Sequence, residues 1–227
     1  MTTYVLVHGG FVGGWYWGET AALLEKAGHR VHIAEQMPSI DPTVESPGGL
    51  HADAEYIRAI VDAAAEPVVL VGHSSGGLAI TELADHPAVR HSVYLSAFWP
   101  QRGQSGADLL GGALPSWIVL RDDGTGAVTE DFAVAHEALC ADLDPERAAE
   151  GLGRHVTQSM VGLGDPSSAP DRTHPTTYII CEQDHANPLA AQEQMAARAD
   201  HVERLPSSHQ PMLSMPDRLA EVLGRIG

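Results

Sequence analysis

Val68-Val-Leu-Val-Gly-His-Ser-Ser-Gly-Gly77 is the stretch that decides the fold. Four consecutive apolar residues, released by Pro67, read as a strand buried on both faces. The next five, Gly72-His73-Ser74-Ser75-Gly76, fit G-x-S-x-G between that strand and a helical pattern over Gly76 to Ala84. A serine at the tip of a tight strand-to-helix turn takes strained backbone angles, and glycines two residues to either side let the chain pass without clashes. The turn exposes the hydroxyl, and the helix start behind it favours developing negative charge. Ser74 is therefore the expected nucleophile. Ser75 is its rival, but its frame opens on His73 and lacks the first glycine.

Working outward, Tyr4-Val-Leu-Val7 is a second buried-strand run, followed at once by His8-Gly9-Gly10-Phe11. Acyl transfer needs two backbone N–H groups aimed at the oxyanion. The amide of Ser75 is expected to supply one and that of Gly10 the other. A serine also needs a base, and the base an orienting acid. Thirteen histidines are too many to choose among by type, so order and context choose. His209 follows the last strand pattern, His201 to Leu205, and precedes the last helix. Asp184 stands three residues past the strand Thr177 to Cys181. Parallel strands deliver their C-terminal ends to one edge, which would bring both to the elbow. Glu182, one residue past its strand, is the alternative acid.

Strand runs alternate with helical periods elsewhere, implying a parallel sheet with helices on both faces. Helices are expected over about Trp17 to Ala27 and over Asp53 to Ala65, with a loop between Gln36 and Gly49. Asn187 and Pro188 read as the cap and first residue of a helix running to about Ala199. Leu219, Val222 and Leu223 mark the inner face of a helix opened by Pro216. The core is expected at 1–99 and 174–227. Residues 100–173, too short and too polar to hold a core alone, read as an insertion over the sheet. One helical piece there starts near Thr129 with Phe132, His136 and Leu139 on one face, and another opens on Asp144 and Pro145.

The 227 residues are 44% hydrophobic and 19% charged, which excludes a disordered chain. Lys+Arg is 13 against 30 Asp+Glu, a net charge of −17. Such a surface repels phosphate backbones and anionic membranes, so the expected partner is a small-molecule substrate and not nucleic acid. No apolar run approaches the roughly 18 residues that span a bilayer, and no signal peptide is read at the start. Cys140 and Cys181 make neither a disulfide framework nor a zinc site, and no histidine spacing suits a metal. The expectation is a cytoplasmic protein with no cofactor and no metal; a homodimer stays open.

The residues resemble the α/β-hydrolase superfamily, and within it the small, cofactor-free branch of plant methylesterases, hydroxynitrile lyases and related bacterial esterases. The resemblance rests on Val5-Leu-Val-His-Gly-Gly10 with Gly13-Gly-Trp15, on Val71-Gly-His-Ser-Ser-Gly-Gly77, on Cys181-Glu-Gln-Asp184 with Asn187-Pro188, and on Ser208-His209-Gln-Pro-Met-Leu-Ser-Met-Pro216. It implies an α/β-hydrolase fold starting at the superfamily's third strand, a helical cap over the site, and Ser74, His209 and Asp184 as triad. The lyases carry a lysine just after the histidine and a threonine in the oxyanion loop. Here those positions hold Gln210 and Gly9, and the one lysine, Lys26, lies on the first helix, which argues against lyase chemistry.

The expected activity is hydrolysis of small carboxylic esters or lactones through an acyl-enzyme. The same triad could serve C–C bond hydrolysis, amide hydrolysis or perhydrolysis, and a pocket that only binds its ligand is the non-enzymatic alternative. His8, Phe11 and Trp99 are expected to face substrate, while Trp15 and Trp17 suit an aromatic wall or the core equally.

Overall fold

The computed structural model describes residues 1–40 and 48–227. Positions 41–47, within the expected Gln36–Gly49 loop, lie outside the described residues. Six strands form the main sheet: β1 (Thr3–Val7), β2 (Arg30–Ala34), β3 (Val68–His73), β4 (Val89–Leu95), β8 (Thr176–Cys181) and β9 (His201–Leu205). Their order is β2-β1-β3-β4-β8-β9, and every pairing is parallel. β1, β3 and β8 are buried along their whole length, as continuous apolar runs require.

Alternation along those strands feeds two cores. Val5, Val7, Val68 and Leu70 pack with Ile57 and Val61 of α2 (Leu50–Asp62), Ile80 of α3 (Gly76–Thr81) and Met195 of α8 (Leu189–Ala196). Tyr4, Leu6, Val69 and Val71 pack instead with Leu24 of α1 (Gly18–Lys26) and with Leu219, Val222 and Leu223 of α10 (Pro216–Ile226). Helices on both faces make the sheet doubly wound. Among the described residues no helix is long and apolar enough to cross a membrane.

Three local expectations shift. α2 starts at Leu50, three residues before the expected Asp53, because its apolar face begins there. Asn187 does not cap α8, whose flanking residue is Pro188. The Asn187 amide Nδ2 donates instead to the Ser96 carbonyl at 3.1 Å, across to β4. Trp99, expected to face substrate, stacks on Tyr94 at 4.3 Å and belongs to the core under α3 and α8.

The 100–173 segment carries more than helices. After α4 (Gly106–Leu109), strands β5 (Ile118–Leu120), β6 (Thr125–Val128) and β7 (Gln158–Ser159) form an antiparallel sheet of their own. Gly124, at φ +81°, turns the β5–β6 hairpin. Between β6 and β7 lie α5 (Phe132–Leu139) and α6 (Pro145–Leu152), and α7 (Val161–Gly164) follows. The Asp131 carboxylate accepts from the Ala133 and Val134 amides and sets the start of α5, three residues after the expected Thr129. Its buried face is Ala135, Ala138 and Leu139, whereas Phe132 is 41% exposed and stacks on His136. Asp144 and Pro145 open α6 as expected.

Asp53 on α2 is buried, and its Oδ1 accepts from the Ser39 amide at 2.9 Å. Burial outweighs that bond and pushes its carboxyl up to about 6. Between the ordinary value near 4 and about 6, the folded chain holds a proton that the unfolded chain releases. Stability therefore falls as pH rises through that window, by on the order of 3 kcal/mol. Asp53→Asn should raise the melting temperature more at pH 7.5 than at pH 4.5. A gain equal at both pH values would contradict this account of Asp53.

Candidate active site

The carboxyl edge of the sheet gathers the chemistry-bearing loops. Ser74 joins β3 to α3 at φ +52°, in the left-handed region that disfavours a residue with a side chain. The surrounding chain holds it there. The Ser74 amide donates to Leu95 O at 3.2 Å, and its carbonyl accepts from Gly77 N and Phe98 N, each at 3.0 Å. At Gly76, a Cβ would meet His8 O at 2.5 Å, so the helix can start only if that residue is glycine.

Ser74 Oγ lies 2.9 Å from His209 Nε2, and His209 Nδ1 lies 2.6 Å from Asp184 Oδ2. His209 stands between β9 and the turn of helix α9 (Pro211–Ser214). His209 and Asp184 are both buried, at 4% exposure each. Asp184 Oδ1 accepts from the Ala186 amide at 2.8 Å and the Asn187 amide at 2.9 Å, and Oδ2 also accepts from Ser96 Oγ. With His209, four donors surround one carboxylate. Glu182, the alternative acid, is exposed and lies 3.8 Å from Arg204.

The sequence reading did not single out Ser96, which follows β4 at φ +40°. Nor did it give His73 a role. That ring is 2% exposed; its Nε2–H donates to the His209 carbonyl at 2.8 Å. Burial first, and then the neighbouring His209, hold its pKa well below the ordinary histidine value. Asp142, in the insertion, accepts from the Ser208 amide at 3.1 Å and from Ser208 Oγ, one residue before His209.

A cavity opens above Ser74 between the sheet edge and the insertion. Ser74, Ser75, His209 and Gly10 reach it. Among the described residues the amides of Gly10 and Ser75 donate to no protein group. Phe11, Leu78, Trp117, Met160 and Leu163 make most of the wall apolar, and Phe11 meets Trp117 edge-on at 6.0 Å. Two of the expected substrate contacts fall outside it. Trp99 lies in the core. His8 is wholly buried, its Nδ1–H given to Gly9 O at 2.8 Å, and burial lowers its pKa to about 4. Trp15 and Trp17 also lie off the cavity, packed with Tyr16 and the α1 side of the sheet. Among the described residues no group of three His, Cys, Asp or Glu side chains is arranged to hold a metal ion.

Comparison with known proteins agrees with this architecture. Residues 4–222 match the alpha/beta hydrolase family. A carbendazim hydrolyzing esterase of Nocardioides sp. is 31% identical, with all of both chains covered. Methylesterase 1 of Arabidopsis thaliana is 25% identical over 98% of this chain and 95% of its own. The crystal structure of a pyrethroid hydrolase from Sphingobium faniae superposes with a TM-score of 0.85 at 28% identity, covering 99% of this chain and 96% of that one. The chain belongs to the α/β hydrolase family, among relatives named as esterases and hydrolases.

Proposed function

We propose that the protein is a serine hydrolase of small carboxylic esters or lactones, working through an acyl-enzyme. The observation that carries the reading is the unbroken line of hydrogen bonds from Ser74 Oγ through both nitrogens of His209 to Asp184. Neutral His209 takes the proton as Ser74 Oγ attacks the substrate carbonyl. The Gly10 and Ser75 N–H groups receive the oxyanion; both residues line the cavity that Ser74 enters. As the tetrahedral intermediate collapses, His209 gives its proton to the leaving alcohol. Water then enters, loses a proton to His209 and attacks the acyl carbon, and Ser74 regains its hydrogen.

Asp184 fixes the tautomer: its Oδ2 accepts the hydrogen bond from Nδ1–H, which leaves Nε2 free to accept. The apolar wall suits an ester with a compact apolar or aromatic group on the acyl or alcohol side. Relatives named as a carbendazim hydrolyzing esterase and a pyrethroid hydrolase support this reading of the pocket. Gln210 and Gly9, where the resemblance to the lyase branch implies lysine and threonine, argue against lyase chemistry.

Ser74→Ala should abolish both turnover of a p-nitrophenyl ester and labelling by a fluorophosphonate probe, with an unchanged circular dichroism spectrum. Persistent labelling would move the nucleophile elsewhere. Asp184→Asn should cost on the order of 10⁴-fold in kcat, because the amide presents an N–H where an acceptor is needed. Glu182→Gln, at an exposed position off the cavity, should stay within about twofold of the parent. The opposite ranking of these two variants would displace Asp184 as the acid.

A further inference from the structure

Phe11, the residue after Gly10, sits at φ +64°. A bulky side chain in the left-handed region is strained and persists only where neighbours hold it. The neighbours here come from the insertion. The Phe11 carbonyl accepts from the Val156 amide at 2.8 Å, and the Phe11 amide donates to Gln158 Oε1 at 3.0 Å. Both polar backbone groups of one strained residue are thus held by a three-residue stretch about 145 positions further along the chain, entering β7.

The Gln158 side chain is itself oriented. Its Nε2 donates to Ser39 Oγ at 3.3 Å, and Ser39 N donates to buried Asp53. With Oε1 facing an N–H and Nε2 facing a hydroxyl, the amide has one favoured orientation. It also presses on the glycine before Phe11: a Cβ on Gly10 would fall 2.7 Å from Gln158 Oε1. The Gly10 N–H lies in the peptide plane of the Gly9 carbonyl, which His8 Nδ1–H holds at 2.8 Å. Glycine has no side chain to restrict the two torsions that join this plane to the next, so the Phe11 amide plane must also be held from outside if the Gly10 N–H is to point steadily at the cavity.

We propose that Gln158 is a positioning residue for the oxyanion hole: by holding the Phe11 amide from the insertion, it fixes the peptide plane after Gly10 and so limits the torsions that aim the Gly10 N–H. This rests on the triad and oxyanion roles proposed above. Gln158 is argued to act through Gly10, so its loss should weaken binding of the transition state and leave ground-state binding alone.

The test compares the parent with Gln158→Met, which keeps length and loses the acceptor. Readouts are kcat and KM on a p-nitrophenyl ester, and the Ki of an aryl trifluoromethyl ketone, whose adduct with a serine places an oxyanion in the hole. The expected result is a fall in kcat of about 10- to 100-fold, KM within twofold, and a rise in Ki by the same factor as kcat falls. Ser39→Ala should give a smaller loss of the same kind, and no further loss in the Gln158→Met background. If Gln158→Met does not fold, Ser39→Ala alone carries the test through its kcat loss at unchanged KM. A loss confined to KM, or an unchanged Ki, overturns the proposal while fluorophosphonate labelling of Ser74 keeps the hydrolase reading. Absence of labelling in the parent overturns both.

Discussion

A carboxylate removed from water must be given hydrogen-bond donors, and the way Asp184 receives its four organises the carboxyl edge of the sheet. Two are the Ala186 and Asn187 amides of its own loop, which folds back on the Oδ1 oxygen. The third is Ser96 Oγ from the end of β4, and the fourth is the His209 ring from beyond β9. Three strand ends are thereby drawn to one point. Asn187 closes the arrangement by giving its side-chain amide to the Ser96 carbonyl. Leaving any donor out would strand part of a buried charge at a cost of about 1–3 kcal/mol or more, so the loops after β4, β8 and β9 fold as a group.

His73 extends that group to Ser74. Its ring lies 4.7 Å from the His209 ring, and its Nε2–H is committed to the His209 carbonyl. A second positive charge at that distance inside the protein would oppose any proton arriving on His209. Burial holds His73 neutral instead, so it acts as a fixed donor to the backbone of the loop. The residue before Ser74 is therefore tied to the residue that Ser74 faces.

The sequence reading reached the sheet and the elbow because their signals are local. An unbroken apolar run such as Val68 to Val71 allows few alternatives, and the glycines at 72 and 76 flank the serine within five residues. The site residues it missed have distant partners. Ser96 meets Asp184 88 residues away, and Gln158 meets Phe11 across 147; neither has a sequence neighbour that marks it. The insertion's sheet was obscured for another reason. Strands of two to four residues with exposed Val119 and Leu120 carry almost no alternation. One signal was present nonetheless: Asp123-Gly124 between two short apolar stretches is a hairpin turn, and Gly124 takes the left-handed angle it needs. Asn187 followed by Pro188 resembles a helix cap because the dipeptide is common there, but the demand of the buried Ser96 carbonyl just past β4 outweighs the local preference.

The insertion's contacts bear on how it relates to the core. A lid that merely covered the cavity would touch its rim. Here the 100–173 segment grips three elements of the core. Asp142 holds the Ser208 backbone beside His209. Val156 and Gln158 hold Phe11 beside Gly10. On the far side, Glu82, in the turn after α3, accepts from the Ser167 hydroxyl and from the amide and hydroxyl of Ser168, where the segment returns toward β8. Each bond satisfies a buried or half-buried polar group of the core. The insertion therefore cannot lift as a whole without unmaking bonds beside both His209 and Gly10. The side chains of Asp142, Gln158, Ser167 and Ser168 are committed to these bonds, whereas the apolar residues that face the cavity are not.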